Sequence, residues 1–333
     1  MPSLIERHEV TKDGHTTSYL SAGPKLGPLL IFVHGWPGIA ETWKPQIETF
    51  ASLGFFVVAP DTRGYGKSSM STSVSEYRLE VIVNDLLTLL SHLQRDEAIW
   101  IGHDWGSGIV SALAAHHPEI CRATASLAVP YHCLEYGLEH LLTTINHDIY
   151  PSDIYPNGPW DYQVYYEINP DRITQQFEAN IPNTIKTIFT KANLASWGQP
   201  SPSATVTRDN GRFGGAGTAP DVPLSATLFS DNPGLYESLT TAFSKTGFFG
   251  ASAYYRNHAR NVDYAQKSVN GGFLEMPCLF IEARFDIVCA TNLSRLSEPM
   301  RKYCRDLTQC SVDAGHWLQL EKPEEVNAAL ARV

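Results

Sequence analysis

The sequence has few of the features that indicate membranes or nucleic acids as partners. No apolar run in the 333 residues approaches the ~18 residues needed to cross a bilayer, and residues 1–7 lack the apolar core of a signal peptide. Lys and Arg (25) are outnumbered by Asp and Glu (35), so that the net charge is −10. Because phosphate binding needs clustered basic side chains, nucleic acid is not expected as a partner. We therefore expect a soluble, cytoplasmic protein.

The six cysteines form no recognisable metal or redox motif. None belongs to a C-x-x-C pair, and no spacing matches a zinc site. The chain also has no H-E-x-x-H or EF-hand pattern, so we expect neither a metal nor another cofactor. The thiols, which we expect to be reduced, are Cys121, Cys133, Cys278, Cys289, Cys304 and Cys310.

What the sequence does contain is an alternation of short apolar runs with longer amphipathic segments. Hydrophobic residues make up 43% of the chain and charged residues 18%, which is ordinary for a protein that buries a core. The apolar runs are typical of strands buried on both faces. Alternation with helices predicts an α/β fold with a mostly parallel central sheet flanked by helices. The predicted strands cover residues 29–33, 55–59, 98–101, 123–129, 278–282 and 309–312, and one predicted helix carries Val81, Ile82, Leu86, Leu89, Leu90 and Leu93.

The alternation is interrupted in the middle of the chain. Residues 132–265 are rich in Tyr, Asn, Pro and Thr, with an amphipathic segment at 173–194 and a stretch heavy in Gly, Pro, Ser and Thr at 197–233. Long loops of that kind are usually functional lids or linkers. We therefore predict a sheet domain, formed by residues 1–131 and 266–333, that is interrupted by a mainly helical cap at 132–265.

An aspartate stands at the centre of the strongest catalytic motif. The sequence G-H-D-W-G at 102–106 follows a predicted strand and precedes a helix rich in small residues. This is the G-x-nucleophile-x-G pattern of a sharp strand-to-helix turn, with Asp where esterases have Ser. Side chains at the two flanking positions would collide with neighbouring backbone, so glycine is favoured there. We predict that Asp104 is a nucleophile and that the N–H of Trp105 faces the developing oxyanion.

A loop early in the chain is the predicted source of a second oxyanion donor. The first predicted strand ends in H-G-W-P-G, residues 34–38. In α/β-hydrolases, whose nucleophile turn the motif at 102–106 resembles, the loop at this place supplies an N–H to the oxyanion. The following proline restricts the backbone of Trp36. We predict that the N–H of Trp36 is this donor, and that Trp36, Trp105 and His34 contact the substrate.

A histidine late in the chain is the predicted base. An ester formed on an aspartate must be hydrolysed by activated water, so a base is required. Of the twelve histidines, only His316 ends a strand late in the chain. An acid after an earlier strand would orient the imidazole and stabilise its protonated form. Asp286, which follows the strand at 278–282, fits this position, and Glu282, within that strand, is the competing candidate.

These motifs, in this order and spacing, resemble the epoxide hydrolase branch of the α/β-hydrolases, from residue 27 to the end. The resemblance implies the α/β-hydrolase fold with an inserted cap. Two cap segments, D-Y-Q-V-Y-Y at 161–166 and A-Y-Y-R-N at 253–257, are similar to those that carry the family's two cap tyrosines. The resemblance implies that Tyr162 and Tyr255 bind the epoxide oxygen. Gly38 is a departure, because the family often has an acidic residue there.

The chemistry of epoxide opening independently requires a proton donor of this kind. Ring opening releases an alkoxide, a strong base, so a proton donor must be in place. Tyrosine has an ordinary pKa of about 10 and can donate at neutral pH. A halide leaving group needs no proton, so paired tyrosines distinguish an epoxide hydrolase from a dehalogenase. Because Tyr165, Tyr166 and Tyr254 are close neighbours in sequence, the register of the two tyrosines stays open.

The predicted reaction is hydrolysis of an apolar small-molecule epoxide by water to a vicinal diol, through an ester on Asp104. One alternative is a haloalkane or haloacid dehalogenase with the same Asp104, His316 and Asp286. Another is a non-catalytic small-molecule binding protein of the same fold. A serine esterase is disfavoured because residue 104 is not Ser, and the sequence does not distinguish a monomer from a homodimer.

Overall fold

The computed structural model, which describes residues 4–332, is built around one sheet of eight strands. In chain order the strands are β1 (Glu6–Lys12), β2 (His15–Ala22), β3 (Leu29–Val33), β4 (Phe56–Pro60), β5 (Ala98–His103), β6 (Cys121–Leu127), β7 (Leu274–Ala283) and β8 (Cys304–Val312). Across the sheet their order is β1-β2-β4-β3-β5-β6-β7-β8. The pairs β1–β2 and β2–β4 are antiparallel, and all other neighbours are parallel.

Helices cover both faces of the sheet, which explains why its central strands are apolar throughout. β3 and β4 are buried along their whole length. Because successive side chains point to opposite faces, Ile31 belongs to the core on one face and Phe32 to the core on the other. The helices are α1 (Lys44–Ser52), α2 (Leu79–His92), α3 (Trp105–His116), α4 (Gly137–Leu142), α5 (Asp161–Ile168), α6 (Pro170–Glu178), α7 (Ile181–Ile188), α8 (Pro233–Thr246), α9 (Phe249–Ala253), α10 (His258–Ala265), α11 (Glu298–Tyr303), α12 (Leu318–Glu321) and α13 (Pro323–Leu330).

Seven of these helices, α4 to α10, form a helical insertion between β6 and β7. Phe177, Ile185 and Phe243 of the insertion belong to the same continuous core as Ile31 of the sheet. The predicted boundaries at 131/132 and 265/266 stay a prediction, and residues 1–3 and 333 of the predicted sheet domain lie outside the described residues. No helix within residues 4–332 has both the length and the apolar character needed to cross a membrane.

The six predicted strands correspond to β3 through β8, but the last three begin earlier than predicted. β8 starts at Cys304 rather than at residue 309. It is the outermost strand of the sheet on its side, and most of its residues are exposed or only partly buried. An edge strand of this kind needs no apolar run, so the sequence pattern does not mark its beginning.

The hairpin of β1 and β2 has no counterpart among the predicted strands. β1 is polar and largely exposed, so no apolar run marks it. The sequence feature that could have indicated this hairpin is its turn. Asp13 and Gly14 both have positive φ angles, 51° and 79°, as two-residue hairpin turns require, and an Asp-Gly pair between alternating segments predicts such a turn.

The amphipathic segment at 173–194 is broken into two helices. α6 ends at Glu178 and α7 begins at Ile181. Between them, the side chain of Asn180 accepts the N–H of Asn183 and caps α7, with Pro182 in its first turn. Proline is tolerated in the first turn of a helix but not in its interior, so the two helices cannot be continuous.

Candidate active site

The turn between β5 and α3 places Asp104 in a conformation that non-glycine residues rarely adopt. β5 ends one residue before Asp104 and α3 begins one residue after it, and its φ and ψ are 53° and −123°. A Cβ on Gly102 would lie 2.3 Å from the carbonyl oxygen of Gly106, and one on Gly106 would lie 2.0 Å from that of Val33. The close approach of these segments therefore requires both flanking glycines.

The loop after β3 holds one oxygen of the Asp104 carboxylate. The N–H of Trp36 donates to Asp104 Oδ1 at 2.7 Å. Gly35 makes room for this contact, because a Cβ there would lie 2.5 Å from the same oxygen. Trp105 is the first residue of α3, so its N–H has no acceptor within the helix. Of the two predicted oxyanion donors, the N–H of Trp36 thus already donates to the Asp104 carboxylate. The N–H of Trp105 belongs to the residue that follows Asp104 in the chain.

His316 lies between two carboxylates. Asp286 follows β7 and His316 follows β8, and because β5 to β8 are parallel, their carboxyl ends meet at one edge of the sheet. His316 Nδ1 donates to Asp286 Oδ2 at 2.7 Å. On the other side of the ring, His316 Nε2 is 3.4 Å from Asp104 Oδ2. The structure therefore brings the three predicted residues together, with the imidazole of His316 in contact with both carboxylates.

Asp286, rather than Glu282, is the carboxylate at the imidazole. Its second oxygen accepts the N–H groups of Val288 and Cys289 at 2.8 and 2.9 Å. Burial alone opposes ionisation of Asp286, but the charge of His316 and these hydrogen bonds outweigh it and lower the pKa of Asp286. Glu282 lies within β7, and its carboxylate accepts a hydrogen bond from a threonine hydroxyl at 2.8 Å instead.

The two carboxylates determine the charge of His316. Burial disfavours a charged imidazole, but Asp286 and Asp104 outweigh it and raise the pKa of His316 to about 10. With both carboxylates charged, the imidazole of His316 is therefore protonated at neutral pH. Two carboxylates and one imidazolium leave this part of the site with one net negative charge.

His103, which was not predicted as a site residue, contacts His316 through a hydrogen bond and through ring packing. Its Nε2 donates to the carbonyl oxygen of His316 at 2.7 Å, and the two rings lie 4.9 Å apart. Burial and the neighbouring charge of His316 lower the pKa of His103 to about 3, so this ring is neutral. The G-H-D-W-G motif placed His103 next to Asp104, but it contained no signal for a contact with a residue 213 positions away.

Two tyrosines from the insertion face Asp104 across a cavity. Tyr162 is in α5, and Tyr255 is in a short 3-10 turn, Tyr254–Arg256. Their ring centroids are 5.7 Å apart. The cavity has a volume of about 310 Å³, and its wall includes Trp36, Asp104, Tyr162, Tyr255 and His316. The predicted nucleophile, base and tyrosines thus border one space.

The neighbouring tyrosines face elsewhere. The hydroxyl of Tyr165 donates to the carbonyl oxygen of Asn210 at 2.9 Å, and that of Tyr254 donates to the carbonyl oxygen of Arg63 at 3.0 Å. The hydroxyl of Tyr166 is buried and has no hydrogen-bond partner among residues 4–332. Of the five tyrosines in the two segments, only Tyr162 and Tyr255 border the cavity, within the part of the chain that is described.

Both cavity tyrosines carry their protons at neutral pH. Burial is the main cause that raises the pKa of Tyr162 and of Tyr255 well above 10, and the negative charge of Asp104 adds to it. The side-chain amide of Gln163 donates to the hydroxyl oxygen of Tyr162 at 3.0 Å. Because that oxygen already accepts, the hydroxyl proton of Tyr162 is available to an acceptor in the cavity.

Two residues predicted to contact the substrate, Trp105 and His34, do not border this cavity. The ring of Trp105 is buried and packs edge-on against Tyr255 at a centroid distance of 5.3 Å. His34 has both ring nitrogens in use, since Nδ1 donates to Gly35 O at 3.0 Å and Nε2 accepts the N–H of Thr62 at 3.0 Å. Trp105 therefore supports a cavity tyrosine, and His34 ties the loop after β3 to the loop after β4.

Comparison with a family model identifies the fold family of the chain. Residues 28–323 match the family model of the alpha/beta hydrolase fold. The chain belongs to the α/β-hydrolase fold family.

Relatives of this α/β hydrolase include several proteins named epoxide hydrolases. Bifunctional epoxide hydrolase 2 of Sus scrofa is 32% identical over 330 residues, which cover 98% of this chain and 55% of the relative. The chain thus spans about half the length of the mammalian relatives that it matches. Epoxide hydrolase A of Mycobacterium tuberculosis is 28% identical over 326 residues, covering 96% of this chain and 94% of the relative. The crystal structure of Epoxide Hydrolase A from Mycobacterium thermoresistibile superposes with a TM-score of 0.76 at 26% identity, covering 99% and 98% of the two chains.

The outer wall of the cavity in this α/β hydrolase contains residues that were not predicted. Ile188 and Lys191 border it, as do Ser203, Arg212 and Phe213 from the long loop at 197–233. The composition of that loop predicted a lid or linker but no individual contact. Side chains that meet only after a loop folds over a cavity leave no periodic signal in the sequence.

Three possible metal ligands lie together in this α/β hydrolase, but all belong to the arrangement already described. Donor atoms of Asp286, Cys289 and His316 lie within 4.8 Å of one another. The nearest nitrogen of His316 already donates to Asp286. Burial and the charge of Asp286 raise the pKa of the Cys289 thiol well above its usual value, and a protonated thiol is a poor metal ligand. The grouping therefore fits a hydrogen-bonded carboxylate–imidazole pair better than a metal centre.

Proposed function

We propose that this α/β hydrolase converts epoxides to vicinal diols through a covalent ester on Asp104. The observation that carries the proposal is the pairing of opposed groups across one cavity, a carboxylate on the sheet side and two protonated tyrosines on the insertion side. An epoxide needs both, because its carbon must be attacked while its oxygen receives a proton. Relatives named epoxide hydrolases that cover nearly the whole chain support the proposal.

In the proposed first step, Asp104 attacks a carbon of the epoxide ring. Its Oδ1 is held by the N–H of Trp36, so Oδ2 is the oxygen free to form the new bond. The carbon–oxygen bond of the epoxide breaks, and the departing oxygen takes a proton from Tyr162 or Tyr255. The product of this step is a hydroxyalkyl ester of Asp104.

The charges around His316 account for the order of the two steps. Before the first step, Asp104 is one of the causes that raise the pKa of His316. Ester formation removes the negative charge of Asp104, so the pKa of His316 falls and the imidazole can release its proton. One proton from His316 restores the proton that the tyrosine donated. The imidazole is then neutral, as a general base must be.

In the proposed second step, neutral His316 activates water to attack the carbonyl carbon of the ester. The N–H groups of Trp36 and Trp105 stabilise the oxyanion of the tetrahedral intermediate. The oxygen of water enters the Asp104 carboxylate, one of its protons goes to the released diol, and the other goes to His316. This returns the site to its starting charge state. Asp286 orients the imidazole and stabilises its protonated form.

The insertion is the proposed cap, comprising residues 132–265. It supplies both tyrosines, while the sheet domain supplies the nucleophile, the base and the oxyanion donors. A cap that closes over the cavity would exclude bulk water and strengthen the electrostatic interactions inside. We therefore propose that ring opening depends on both parts of the chain, whereas ester hydrolysis depends mainly on the sheet domain.

A dehalogenase with the same nucleophile and base would leave the two tyrosines without a catalytic role, because halide departs without a proton. A protein that only binds a small molecule would not need a carboxylate and an imidazole 3.4 Å apart, with the imidazole oriented by a second carboxylate. The structure therefore supports epoxide hydrolysis better than either alternative.

The covalent route is tested by one turnover in water labelled with the heavy isotope of oxygen. With enzyme in excess over styrene oxide, the label is expected in the Asp104 side chain and not in the first diol. The reason is that one oxygen of that diol comes from the epoxide and the other from the Asp104 carboxylate. Mass spectrometry of the diol and of the peptide that contains Asp104 measures both. Full labelling of the diol in the first turnover would contradict an ester on Asp104 and indicate direct attack by water.

A further inference from the structure

Arg212 is a cation on the cavity wall without an ion-pair partner. Within residues 4–332, no carboxylate lies within 4.0 Å of its guanidinium, and its Nη1 is buried without a hydrogen-bond acceptor. Lys191, the other cation on the wall, is different. Its Nζ donates to Ser230 Oγ at 2.9 Å and lies 4.0 Å from Asp231. A buried donor without an acceptor is unfavourable. Arg212 has such an unsatisfied donor, whereas the ammonium group of Lys191 already has an acceptor.

The backbone of Arg212 is held in place. Its N–H donates to Gln176 Oε1 at 3.3 Å. The preceding residue, Gly211, has a positive φ of 152° and packs so tightly that a Cβ would lie 2.2 Å from Gln176 Nε2. The carbonyl oxygen of Asn210 accepts the hydroxyl of Tyr165 at 2.9 Å. The loop is thus anchored to α5 and α6, so the backbone of Arg212 has a defined position beside the cavity.

The net charge of the site bears on which kind of substrate the guanidinium of Arg212 can bind. Asp104, Asp286 and His316 together carry one net negative charge, and the whole chain carries −10. An anionic substrate would be repelled by this field unless a cation stood next to its binding site. A neutral apolar epoxide would leave the guanidinium with its contact to the Tyr162 ring but without an anionic partner. An anionic group on the substrate would satisfy it, and a guanidinium is well suited to bind a carboxylate through two parallel hydrogen bonds.

We propose that the substrate is an epoxide that bears a carboxylate close to the ring, and that Arg212 binds this carboxylate. The proposal rests on the proposed epoxide hydrolase function and adds the substrate class to it. It replaces the expectation of a wholly apolar substrate.

The contact with Tyr162 limits the distance between the two functional groups. The guanidinium carbon lies 5.2 Å from the ring centroid of Tyr162, the residue whose hydroxyl is proposed to bind the epoxide oxygen. A carboxylate at Arg212 and an epoxide oxygen at Tyr162 can therefore be separated by only a few bonds. A short acid reaches both residues directly, whereas an acid whose carboxylate is at the far end of a long chain would have to fold back to place both groups at them.

The same contact allows a different role for Arg212. Its positive charge opposes the effect of burial on Tyr162 and favours a lower pKa for that hydroxyl. If this were its only role, removing the charge would slow every epoxide to the same extent. If Arg212 binds a carboxylate, the loss would be greatest for an epoxide that carries one.

The test compares phenylglycidate with its neutral carboxamide, phenylglycidamide, in wild-type protein and in Arg212→Gln. We expect the ratio of kcat/KM for the acid to that for the amide to fall at least about tenfold in Arg212→Gln, mainly through KM. Arg212→Lys should retain part of this preference. Arg208→Gln is the matched control, because Arg208 is an exposed cation of the same loop, and it should leave the ratio unchanged. Thermal unfolding of each variant checks folding.

Three results would overturn the proposal. Equal losses for acid and amide in Arg212→Gln would show that Arg212 acts on Tyr162 alone. Binding of phenylacetamide at least as tight as that of phenylacetate to wild-type protein would show that no anion is bound. A terminal-epoxide undecanoate that depends on Arg212 as strongly as phenylglycidate does would contradict the short separation. A failure of the proposed function is distinguishable, because wild-type protein would then turn over neither phenylglycidamide nor styrene oxide. Calorimetry with phenylacetate and phenylacetamide tests the anion site without turnover.

Discussion

The sheet side and the insertion side of the candidate site are held in place by different forces. The sheet side, Asp104, Asp286 and His316, sits at the ends of parallel strands and is joined by one charged hydrogen bond and one ion pair. The insertion side, Tyr162 and Tyr255, is neutral and is positioned by aromatic packing. The ring of Tyr255 lies within 5.2 to 6.0 Å of the rings of Tyr166, Trp105, Tyr162 and Trp36.

This difference has a functional consequence. Groups linked by charge influence one another's protonation, so a change at one residue of the sheet side alters the others. Neutral groups held by packing carry no charge that would shift the protonation of the sheet side. We therefore expect substitutions on the sheet side to affect ester hydrolysis and the pKa of His316, and substitutions on the insertion side to affect ring opening.

The largest effect is expected for Asp104→Asn. An amide is a poor nucleophile, so kcat should fall by at least about 10⁴-fold, as measured by diol formation from styrene oxide. Asp313→Asn is a suitable control, because Asp313 is an exposed carboxylate near His316 that pairs with Arg284. It should retain nearly full activity. Comparable losses in both variants would mean that the position of Asp104 at the turn has no special importance.

The next largest effect is expected for Asp286→Asn, which removes the charge that orients and stabilises the protonated imidazole. Ester hydrolysis should slow by about 10³-fold or more, whereas ring opening should be much less affected. The ester should then accumulate and appear as a mass increase of the intact protein. Glu282→Gln is the control, and ester that accumulates in Glu282→Gln instead would assign the orienting role to that residue.

On the insertion side, the double substitution Tyr162→Phe, Tyr255→Phe should slow ring opening by about 10²- to 10³-fold. The physical reason is that no proton donor remains opposite Asp104. Single-turnover kinetics of ester formation measure this step alone. Tyr165→Phe is the control, because its hydroxyl bonds Asn210 and does not face the cavity. A double variant with normal ring opening would favour the dehalogenase alternative.

A smaller but specific effect is expected for the pKa of His316. In Asp104→Asn, this pKa should fall below its value of about 10 by about one unit, which corresponds to ~1.4 kcal/mol. NMR titration of the imidazole measures it. The pKa of folded His316 lies above the unfolded value of 6.5, so its imidazolium stabilises the fold below pH 6.5 and this contribution is lost as the pH rises to about 10. An unchanged pKa in Asp104→Asn would mean that His316 is not electrostatically coupled to Asp104.

The smallest effect is expected for Tyr254→Phe, the neighbour of Tyr255 in sequence. It loses a hydrogen bond from the hydroxyl to the carbonyl oxygen of Arg63, so the free energy of unfolding should fall by about 1 kcal/mol. Urea denaturation measures this. The rate of ring opening should stay close to that of wild-type protein. A loss of ring opening as large as in Tyr255→Phe would mean that Tyr254, rather than Tyr255, is the second catalytic tyrosine.

Several residues could be predicted from the sequence because the requirements on them are local. Asp104 is marked by five consecutive residues whose glycines are required by contacts of 2.0 to 2.3 Å. His316 and Asp286 are marked by their positions after predicted strands, since strand ends in a parallel sheet meet at one edge. By contrast, the roles of His34 and Trp105 depend on what their rings touch. His34 meets the N–H of Thr62, and the ring of Trp105 meets Tyr255.

The sequence by itself determined the α/β class, six of the eight strands and the residues at the strand ends, because apolar periodicity and turn geometry act over a few consecutive residues. Only the tertiary structure decided which tyrosines face the cavity, that Asp286 rather than Glu282 meets His316, and that Arg212 borders the cavity without an ion-pair partner in residues 4–332. These outcomes depend on how segments far apart in the chain pack against one another. Packing of that kind leaves no periodic pattern in the sequence, since each contact is decided by the shape and charge of a distant partner.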